Sequence, residues 1–303
     1  MRGMVVLMSH VTLIVNPLAT AVDEHRVARV EQILARVAEV DTHFTQRRGH
    51  AIELAYSTAS IGTDAIFVYS GDGGFNEVVN GLGRKAPPVA CIPGGGTSVF
   101  PRALGVPRDP VRAAEQLAAA FEQRRTRTIS LGRVNGRRFL FSAGLLFDAE
   151  LVRRIEAQRS RNGRPGDAAF LATLGKLIAE HRGRFDPALE IAGLGRVAFL
   201  FVANADPYTY LGALPIHIAP RARLDAGLDV IAPARVRPHA VPALLSYVLT
   251  GKRLPSSVRT LHDVDRIETR CDRPLPLQAD GEDLGDVTSA VFEAERAAIS
   301  VLV

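Results

Sequence analysis

The sequence predicts an α/β domain in its first half and a β-rich domain in its second half. In the first half, apolar runs typical of buried strands alternate with stretches whose apolar residues recur at helical spacing. Two of those strand-like runs end in glycine-rich segments, and in the second half short strand-like runs outnumber the helical stretches. We therefore expect a doubly wound nucleotide-binding α/β domain, residues 1–127, followed by a β-rich sandwich domain with inserted helices, residues 128–303.

The first domain is predicted to begin with a strand over residues 11–15, a β-branched apolar run. A helix follows over residues 23–38, where Val27, Val30 and Leu34 recur on one face. The remaining predictions for this domain are strands that begin at residues 43–45 and cover 65–69 and 89–92, and helices over 49–60, 75–82, 99–104 and 110–123.

In the second domain, strand-like runs dominate and helical patterns interrupt them. No repeat of fixed period is evident. The final segment, residues 298–303, is typical of a strand that either domain can accommodate. The other predicted strands cover residues 128–134, 138–143, 196–203, 215–218, 228–231 and 267–269, and the predicted helices cover 149–158, 167–181 and 239–249.

The segment that follows the strand at residues 65–69 combines glycine, carboxylate and amide groups. Gly71, Gly73 and Gly74 lack a β-carbon, so the backbone can adopt positive φ and its N–H groups can approach a phosphate closely. The helix predicted after them adds its unpaired N–H groups to the same site. Asp72 indicates chemistry, because a carboxylate is repelled by phosphate unless it binds Mg²⁺ or accepts a proton from an attacking hydroxyl.

A second glycine-rich segment, residues 93–98, follows the strand at residues 89–92 and contains Thr97, which can donate to phosphate or cap a helix. The carboxyl ends of neighbouring parallel strands meet at one edge of an open sheet, where such sheets bind ligands. The alternative is a plain glycine-rich turn with Asp72 as an ordinary N-cap. The presence of two such segments favours nucleotide binding.

Composition restricts the function further. The 303-residue chain is 47% hydrophobic, which is enough for one or two cores. Its two cysteines, Cys91 and Cys271, lack CxxC or His-rich spacing, so the sequence indicates neither a disulfide framework nor a zinc site, and a reducing cytoplasm fits. The net charge of +5 favours anionic partners such as nucleotides or acidic membrane surfaces. No basic segment is interleaved with stacking aromatic residues, which argues against nucleic acid.

No apolar stretch of the sequence approaches the roughly 18 to 20 residues needed to span a bilayer. We therefore expect a soluble or peripheral protein.

Short motifs follow one another along nearly the whole chain. They are Asn16-Pro17, Thr45 before Gly49-His50-Ala51, the segment from Gly71 to Leu82, the loop from Pro93 to Thr97, Gly144 to Ala149, Ala219-Pro220, Leu224 to Val230, and Asp280-Gly281-Glu282. In type and order this series resembles the diacylglycerol kinase catalytic family, which includes bacterial lipid kinases and the sphingosine and ceramide kinases.

The resemblance implies a nucleotide domain and a β-sandwich that face each other across a cleft, with ATP and Mg²⁺ as cofactors. It implies that Glu282 is the general base and that Asp280 orients it or helps to hold metal; an ordinary Asp-Gly-Glu hairpin turn is the alternative. Asp225 resembles a structural Mg²⁺ ligand of bacterial members, with a β-turn aspartate as the alternative.

The motifs thus predict a catalytic set of Glu282, Asp280 and Asp72, with Asp225 as the metal ligand. For Glu77, a role at the helix macrodipole is as consistent with its position as metal binding. Alone, an Asn-Pro pair such as Asn16-Pro17 is usually just a turn. The predicted cofactor-binding residues are Asn16, Pro17, Thr45, Gly71, Asp72, Gly73, Gly74, Asn76, Glu77, Gly95, Gly96 and Thr97.

Three positions depart from the family's pattern. Where the family has Gly-Gly-Asp-Gly-Thr, this chain has Ser70 and Gly74, so it lacks the second loop hydroxyl that would normally meet phosphate. Ser98 stands where asparagine is common. The backbone cradle is kept while side-chain contacts are lost, and weaker nucleotide affinity or a different preferred donor are the expected consequences.

The resulting hypothesis is an ATP-dependent lipid kinase that phosphorylates diacylglycerol or a related long-chain lipid. We expect it in the cytoplasm, peripherally associated with the anionic inner face of the membrane, and a homodimer is compatible with the sequence. An NAD kinase shares the Gly-Asp-Gly segment, but the residues after it and the distal Asp280-Gly281-Glu282 fit the lipid enzymes better. A non-catalytic lipid or nucleotide sensor, suggested by Gly74 and Ser98, is the third alternative.

Overall fold

The computed structural model describes residues 9–83, 85–162 and 166–303. The chain divides into two compact units. The first runs up to Ile129 and also includes Ala297–Val303, and the second is Ser130–Arg296. The last strand, which the sequence assigned to neither domain, therefore ends in the first unit.

The first unit alternates strands and helices. Its elements are β1 (His10–Val15), α1 (Glu24–Leu34), β2 (Glu39–Phe44), α2 (His50–Ile61), β3 (Ala65–Ser70), α3 (Asp72–Gly81), β4 (Val89–Pro93), α4 (Val99–Ala103) and α5 (Pro110–Glu122).

The strands of the first unit form a parallel sheet. β1 lies between β2 and β3, and β4 pairs with the other side of β3. Every residue of β3 and β4 is buried, as expected for strands covered on both faces. Val301, near the end of the chain, pairs in parallel with Val89 of β4. The predicted α/β domain with a parallel sheet is confirmed.

The largest boundary error in the first unit lies between α1 and β2. α1 begins as predicted, with the Asp23 carboxylate accepting a hydrogen bond from the N–H of Arg26 (2.8 Å). It ends at Leu34 rather than at residue 38, and β2 begins at Glu39 rather than at residue 43. Glu39 pairs in parallel with His10, the first residue of β1, so β2 begins four residues before the predicted start.

The second unit is dominated by strands. Its elements, beginning with a strand that starts in the first unit, are β5 (Thr126–Val134), β6 (Arg137–Phe139), β7 (Ser142–Leu145), α6 (Phe147–Asn162), α7 (Asp167–Glu180), β8 (Leu189–Ile191), β9 (Gly195–Val197), β10 (Leu200–Ala203), β11 (Thr209–Leu211), β12 (Leu214–Ile216), β13 (Leu228–Pro233), a 3₁₀ turn (Pro238–Ala240), α8 (Val241–Thr250), β14 (Val258–Val264), β15 (Arg266–Ala279) and β16 (Glu282–Leu302).

The strands of the second unit pair antiparallel. The order β14-β13-β10-β7-β15-β16 follows from the hydrogen-bonded neighbours, and β8 pairs with β15 and β9. Side chains from these strands form an apolar core that includes Phe139, Leu200, Val230 and Phe292. Helices α6, α7 and α8 interrupt the strands, so the predicted β-rich domain with inserted helices is confirmed.

Strand lengths in the second unit depart from prediction. β15 and β16 have 14 and 21 residues, whereas the sequence indicated short strands over 267–269 and 298–303. Much of β16 has mixed exposure without regular alternation, because its faces meet different neighbours along its length. The strand predicted over residues 196–203 is divided into β9 and β10. Among the described residues, no helix is both long and apolar enough to cross a bilayer.

Candidate functional site

The glycine-rich turn after β3 leads directly into α3. Helix α3 begins at Asp72 with Gly71 as its N-cap, three residues before the predicted start at Phe75. Within the described chain, the glycines with positive φ do not include Gly71, Gly73 or Gly74. These three residues therefore do not adopt the positive φ that glycine permits, and Gly73 and Gly74 lie within the first helical turn.

Space, rather than backbone conformation, accounts for the glycine at position 74. A β-carbon on Gly74 would lie 2.6 Å from the β-carbon of Ser70 and would overlap the Ser70 hydroxyl. A β-carbon on Gly71 would lie 3.5 Å from the α-carbon of Gly95. The first glycine-rich turn is therefore in close contact with the second.

The second glycine-rich turn follows β4 and lies beside the first. The N–H of Gly94 donates to the carbonyl of Ser70 (2.7 Å), and Ser70 is paired with Pro93 in the parallel register of β3 and β4. The Ser98 hydroxyl donates to the carbonyl of Gly95 (2.9 Å). Ser98 has a φ of +48°, a left-handed conformation that asparagine adopts more readily than serine.

Asp72 connects the two turns. Its carboxylate accepts hydrogen bonds from the backbone N–H groups of Val99 (3.0 Å) and Phe100 (2.9 Å) at the start of α4. Asp72 therefore caps a neighbouring helix and fixes the second turn against the first. A carboxylate has further lone pairs, so this arrangement still leaves acceptor capacity toward a metal ion or a proton.

Glu77 also caps a neighbouring helix. Its carboxylate accepts hydrogen bonds from the N–H groups of Gly49 (2.9 Å) and Ala51 (3.2 Å), at the N-terminus of α2. Its carboxylate thus acts at the start of α2, a role that the sequence did not predict. Asn76 is buried and accepts from the side-chain amide of Asn80 through its own side-chain oxygen (3.1 Å). α3 thus supplies carboxylates that order the starts of α2 and α4.

The other residues predicted to bind cofactor lie at the same edge of the sheet. Asn16 and Thr45 directly follow β1 and β2, and their N–H groups donate to Tyr69 (3.0 Å) and Val15 (2.8 Å). The Asn16 side chain accepts from the N–H of Leu18 (3.0 Å), which makes Asn16-Pro17 a turn. Residues after all four parallel strands therefore surround one edge, where open α/β sheets bind ligands.

In the second unit, Asp280 and Gly281 form the two-residue turn of the hairpin between β15 and β16. Ala279 is paired with Glu282, and Asp280 and Gly281 have φ of +50° and +76°, as in a type I′ turn. The Asp280 carboxylate accepts from the N–H groups of Leu140 (2.6 Å) and Phe141 (3.0 Å). These bonds interrupt the strand predicted over residues 138–143, which separates into β6 and β7.

The carboxylates of Glu282 and Asp280 have different hydrogen-bond partners. Its carboxylate accepts a hydrogen bond from the guanidinium of Arg137, and both side chains are partly exposed. The structure therefore separates the two carboxylates of the Asp-Gly-Glu motif: one orders the link between β6 and β7, and the other is ion-paired. A substrate hydroxyl at Glu282 must share this carboxylate with Arg137.

The environment of Asp225 does not fit a magnesium ligand. Both of its carboxylate oxygens accept from the guanidinium of Arg223, at 3.0 and 2.8 Å. A cation already neutralises this carboxylate, and Mg²⁺ would have to displace it. Among the described residues there is also no group of three or more His, Cys, Asp or Glu side chains arranged to hold a metal ion.

Sequence reasoning missed a cavity in the second unit. The cavity has a volume of about 140 Å³ and lies between α6, α7, α8 and strands β10, β12 and β13. All its lining residues are apolar except Asp148, Tyr208 and Tyr247. Aromatic rings line one side, with Phe147 stacked on Phe199 at 5.1 Å between ring centroids.

Asp148 is the polar centre of this cavity. Its carboxylate is buried and accepts hydrogen bonds from the Tyr208 hydroxyl and the Gln278 side-chain amide. Burial raises the pKa of the Asp148 carboxyl to about 6, and these two hydrogen bonds act in the opposite direction. The only sequence signal was its place in the motif from Gly144 to Ala149. A β-carbon on Gly144 would lie 2.5 Å from the Asp148 carboxylate, which explains the glycine.

Comparison with family models matches both parts of the chain. Residues 10–134 match the model described as the diacylglycerol kinase catalytic domain. Residues 145–303 match the model described as the YegS C-terminal NAD kinase beta sandwich-like domain.

Curated relatives match a part of the chain. The diacylglycerol kinase of Bacillus subtilis (strain 168) is 39% identical over 109 residues, which are 35% of this chain and 35% of that protein. The diacylglycerol kinase of Staphylococcus carnosus (strain TM300) is 30% identical over 104 residues, 34% of this chain and 33% of that protein. The matched region thus covers about a third of this chain and about a third of the length of each of these curated relatives.

Solved structures match nearly the whole chain in fold. A diacylglycerol kinase from Bacillus anthracis str. Sterne superposes with a TM-score of 0.72 at 22% identity, covering 98% of this chain and 97% of that one. A further structure from the same organism gives a TM-score of 0.76 at 23% identity, with the same coverage.

Proposed function

Because the chain belongs to the diacylglycerol kinase catalytic-domain family, we propose that it is an ATP-dependent lipid kinase. The reaction transfers the γ-phosphoryl group of ATP to the hydroxyl of diacylglycerol or a related long-chain lipid. The observation that carries this proposal is the apolar cavity of the second unit, since its apolar lining fits an acyl chain better than a polar acceptor.

The cavity provides an energetic reason for a lipid acceptor. Each methylene group transferred from water into an apolar environment contributes about 0.8 kcal/mol. The polar groups of the lining are engaged within the protein: the buried Asp148 carboxylate accepts hydrogen bonds from Tyr208 and Gln278. The cavity is therefore proposed to hold the acyl chain of the acceptor.

The first unit provides the features needed for the phosphate donor. The adjoining glycine-rich turns and the N-terminus of α3 supply backbone N–H groups at one edge of the sheet. Phosphoryl transfer depends mainly on positioning and on electrostatic stabilisation, so a rigid cradle is the main requirement. The hydrogen bonds from Val99 and Phe100 to Asp72 hold the two turns together and preorganise this cradle.

We propose that Mg²⁺ accompanies ATP at this edge and neutralises charge on the transferring phosphoryl group. Asp72 is the carboxylate best placed to contact it, because it lies between the two glycine-rich turns. Asp225 is not assigned to this role, since Arg223 engages both of its oxygens. In the second unit, Glu282 is proposed to accept the proton of the lipid hydroxyl, and Asp280 keeps the hairpin in place.

We also propose that the protein acts peripherally at the anionic inner face of the membrane. Leucines near the cavity support this proposal: Leu171 lies beside the lining residue Phe170, Leu245 lines the cavity itself, and Leu249 lies one turn further along α8, all of them exposed. Exposed basic residues, Lys252 and Arg253, follow α8 directly. Apolar and basic side chains together are typical of surfaces that bind acidic membranes.

A phosphorylation assay with product mass measurement tests the proposed activity. The purified protein is incubated with ATP, Mg²⁺ and mixed micelles that contain diacylglycerol, sphingosine or ceramide, and separately with NAD. A phosphorylated lipid is the expected product. Formation of NADP without phosphorylated lipid would establish the NAD kinase alternative, and nucleotide binding without any product would establish a sensor.

A substitution in the cavity tests its role in that reaction. Leu174→Trp places a large side chain in the cavity, whereas Ala172→Trp introduces the same side chain at an exposed position of the same helix. We expect the first variant to lower kcat/KM for the lipid at least tenfold and the second to remain within about twofold. Equal activity of the two variants would show that the cavity does not hold the acceptor.

A further inference from the structure

Ser70 carries a buried hydroxyl without a partner. It is the last residue of β3, its side chain is 2% exposed, and its hydroxyl has no hydrogen-bond partner within the described part of the chain. Burying an unsatisfied hydroxyl destabilises a protein, so most buried polar groups have partners. Ser70 therefore differs from the apolar residues around it in β3 and calls for a functional explanation.

The Ser70 hydroxyl lies against the first turn of α3. It occupies the space where a side chain on Gly74 would begin, since a β-carbon there would overlap it. Gly74 is the third residue of α3, so the hydroxyl lies within the turn that presents backbone N–H groups. The Ser70 side chain therefore excludes any residue larger than glycine at position 74.

Helix α3 has no side-chain cap at its N-terminus, whereas α1 and α5 are capped by Asp23 and Asp109. Two carboxylates of α3, those of Asp72 and Glu77, accept hydrogen bonds from the starts of α4 and α2. The N-terminus of a helix attracts anions through its N–H groups and its dipole. An uncapped helix start beside an unpartnered hydroxyl is the combination that a phosphate would complete.

We propose that Ser70 donates a hydrogen bond to the phosphate groups of the bound nucleotide and replaces a hydroxyl at position 74. This inference rests on the proposed nucleotide binding. Because Ser70 is buried against Gly74, its side chain must change rotamer to reach a phosphate at the start of α3. A β-carbon on Gly73 would meet no atom within 4 Å, so there is room at this point of the turn. The proposed ligand is a nucleoside diphosphate or triphosphate.

The first test separates this role from a structural one. Ser70→Ala is expected to weaken binding of ADP and ATP about tenfold in calorimetric titrations with Mg²⁺. It is also expected to leave the Tm of the ligand-free protein unchanged or raised, because an unsatisfied polar group is removed. Ser142→Ala is the matched control, since Ser142 is 3% exposed and its hydroxyl also lacks a partner. This control should bind nucleotide like the wild type.

The second test relocates the hydroxyl. Gly74→Thr alone is expected to lower the Tm, because its side chain overlaps that of Ser70. Adding Ser70→Gly in the same protein removes the overlap and places a hydroxyl on residue 74. The double variant should recover both the Tm and most of the nucleotide affinity, to within about threefold of the wild type.

Ligands of different composition identify the group that Ser70 contacts. Pyrophosphate binding should weaken in Ser70→Ala as ADP binding does, and AMP binding should not. Wild-type affinity of Ser70→Ala for ADP, or an equal loss for AMP, would overturn the inference while leaving nucleotide binding intact. Failure of the wild type to bind ADP, ATP and pyrophosphate would overturn the proposed function and this inference together.

Discussion

Asp72 accepts a hydrogen bond from the backbone N–H of Phe100, with 2.9 Å between the two atoms, and thereby joins the two glycine-rich turns of the first unit. The same carboxylate also accepts from Val99. A residue predicted from its charge to act in catalysis therefore has a structural task as well, and experiments on Asp72 must separate the two.

Asp72→Ala is expected to lower the free energy of unfolding by about 1–3 kcal/mol, because two N–H groups at the start of α4 lose their acceptor. Urea denaturation of the ligand-free protein measures this effect. Asp72→Asn keeps one acceptor and should lose less. Wild-type stability of the alanine variant would contradict the capping role.

The pH dependence of stability should reveal Asp148. Burial raises its pKa in the folded protein to about 6 from an ordinary value of 3.8, so between these pH values the folded state binds more protons than the unfolded chain. The contribution of Asp148 to the free energy of unfolding therefore falls by an amount on the order of 3 kcal/mol as the pH rises from about 4 to 6. Above pH 6 it stays at this lower value.

Asp148→Asn removes this titration and provides the comparison. Unfolding free energies of the variant and the wild type, measured by urea denaturation from pH 4 to 7.5, should diverge in slope below pH 6. Parallel curves for the two proteins would indicate that Asp148 keeps an ordinary pKa.

Arg124 offers a stabilising substitution outside the site. It follows the C-cap of α5 with a φ of +53°, and the N–H groups of Arg124 and Arg125 donate to Phe121 (3.0 Å) and Ala120 (2.8 Å), as in a Schellman motif. Glycine adopts this conformation without strain, so Arg124→Gly should raise the unfolding free energy by about 0.5–1 kcal/mol. Thermal unfolding measures the gain, and Arg125→Gly, whose native φ is not positive, should give none.

Glu282 and Arg137 can be distinguished by kinetics. If Glu282 accepts the proton of the lipid hydroxyl, Glu282→Gln should lower kcat at least 100-fold with unchanged ADP affinity, since general-base catalysis contributes about 10²–10⁴-fold. Arg137→Gln removes the ion-pair partner but leaves the base, so its kcat should stay within tenfold of wild type. Comparable losses in both variants would assign the pair a structural role.

The metal requirement can be tested at Asp225. Because Arg223 occupies both carboxylate oxygens, Asp225→Asn should leave the Mg²⁺ concentration dependence of the reaction unchanged. Titration of activity with Mg²⁺ after EDTA treatment measures this dependence in both proteins. A shift of the half-saturating Mg²⁺ concentration by tenfold would restore Asp225 as a metal ligand.

Much of the first unit could be predicted from the sequence because its signals are local. The β3 run from Ala65 to Ser70 is apolar throughout and is followed at once by glycines, which predicts a buried parallel strand and a turn at its carboxyl end. Since parallel strands all end at one edge, the proximity of the two glycine-rich turns followed from topology alone. The motif series likewise identified the family.

Long-range contacts decided what the sequence left open. The carboxylates of Asp72, Glu77 and Asp280 each bind backbone N–H groups of another element, and a sequence does not show which distant amides remain unpaired. The position of Asp148 in an apolar cavity depends in the same way on helices and strands far apart in the chain. Sequence patterns thus determined the elements, their order and the family, whereas the tertiary structure determined the partner of each carboxylate, because burial and hydrogen bonding arise only after the elements pack.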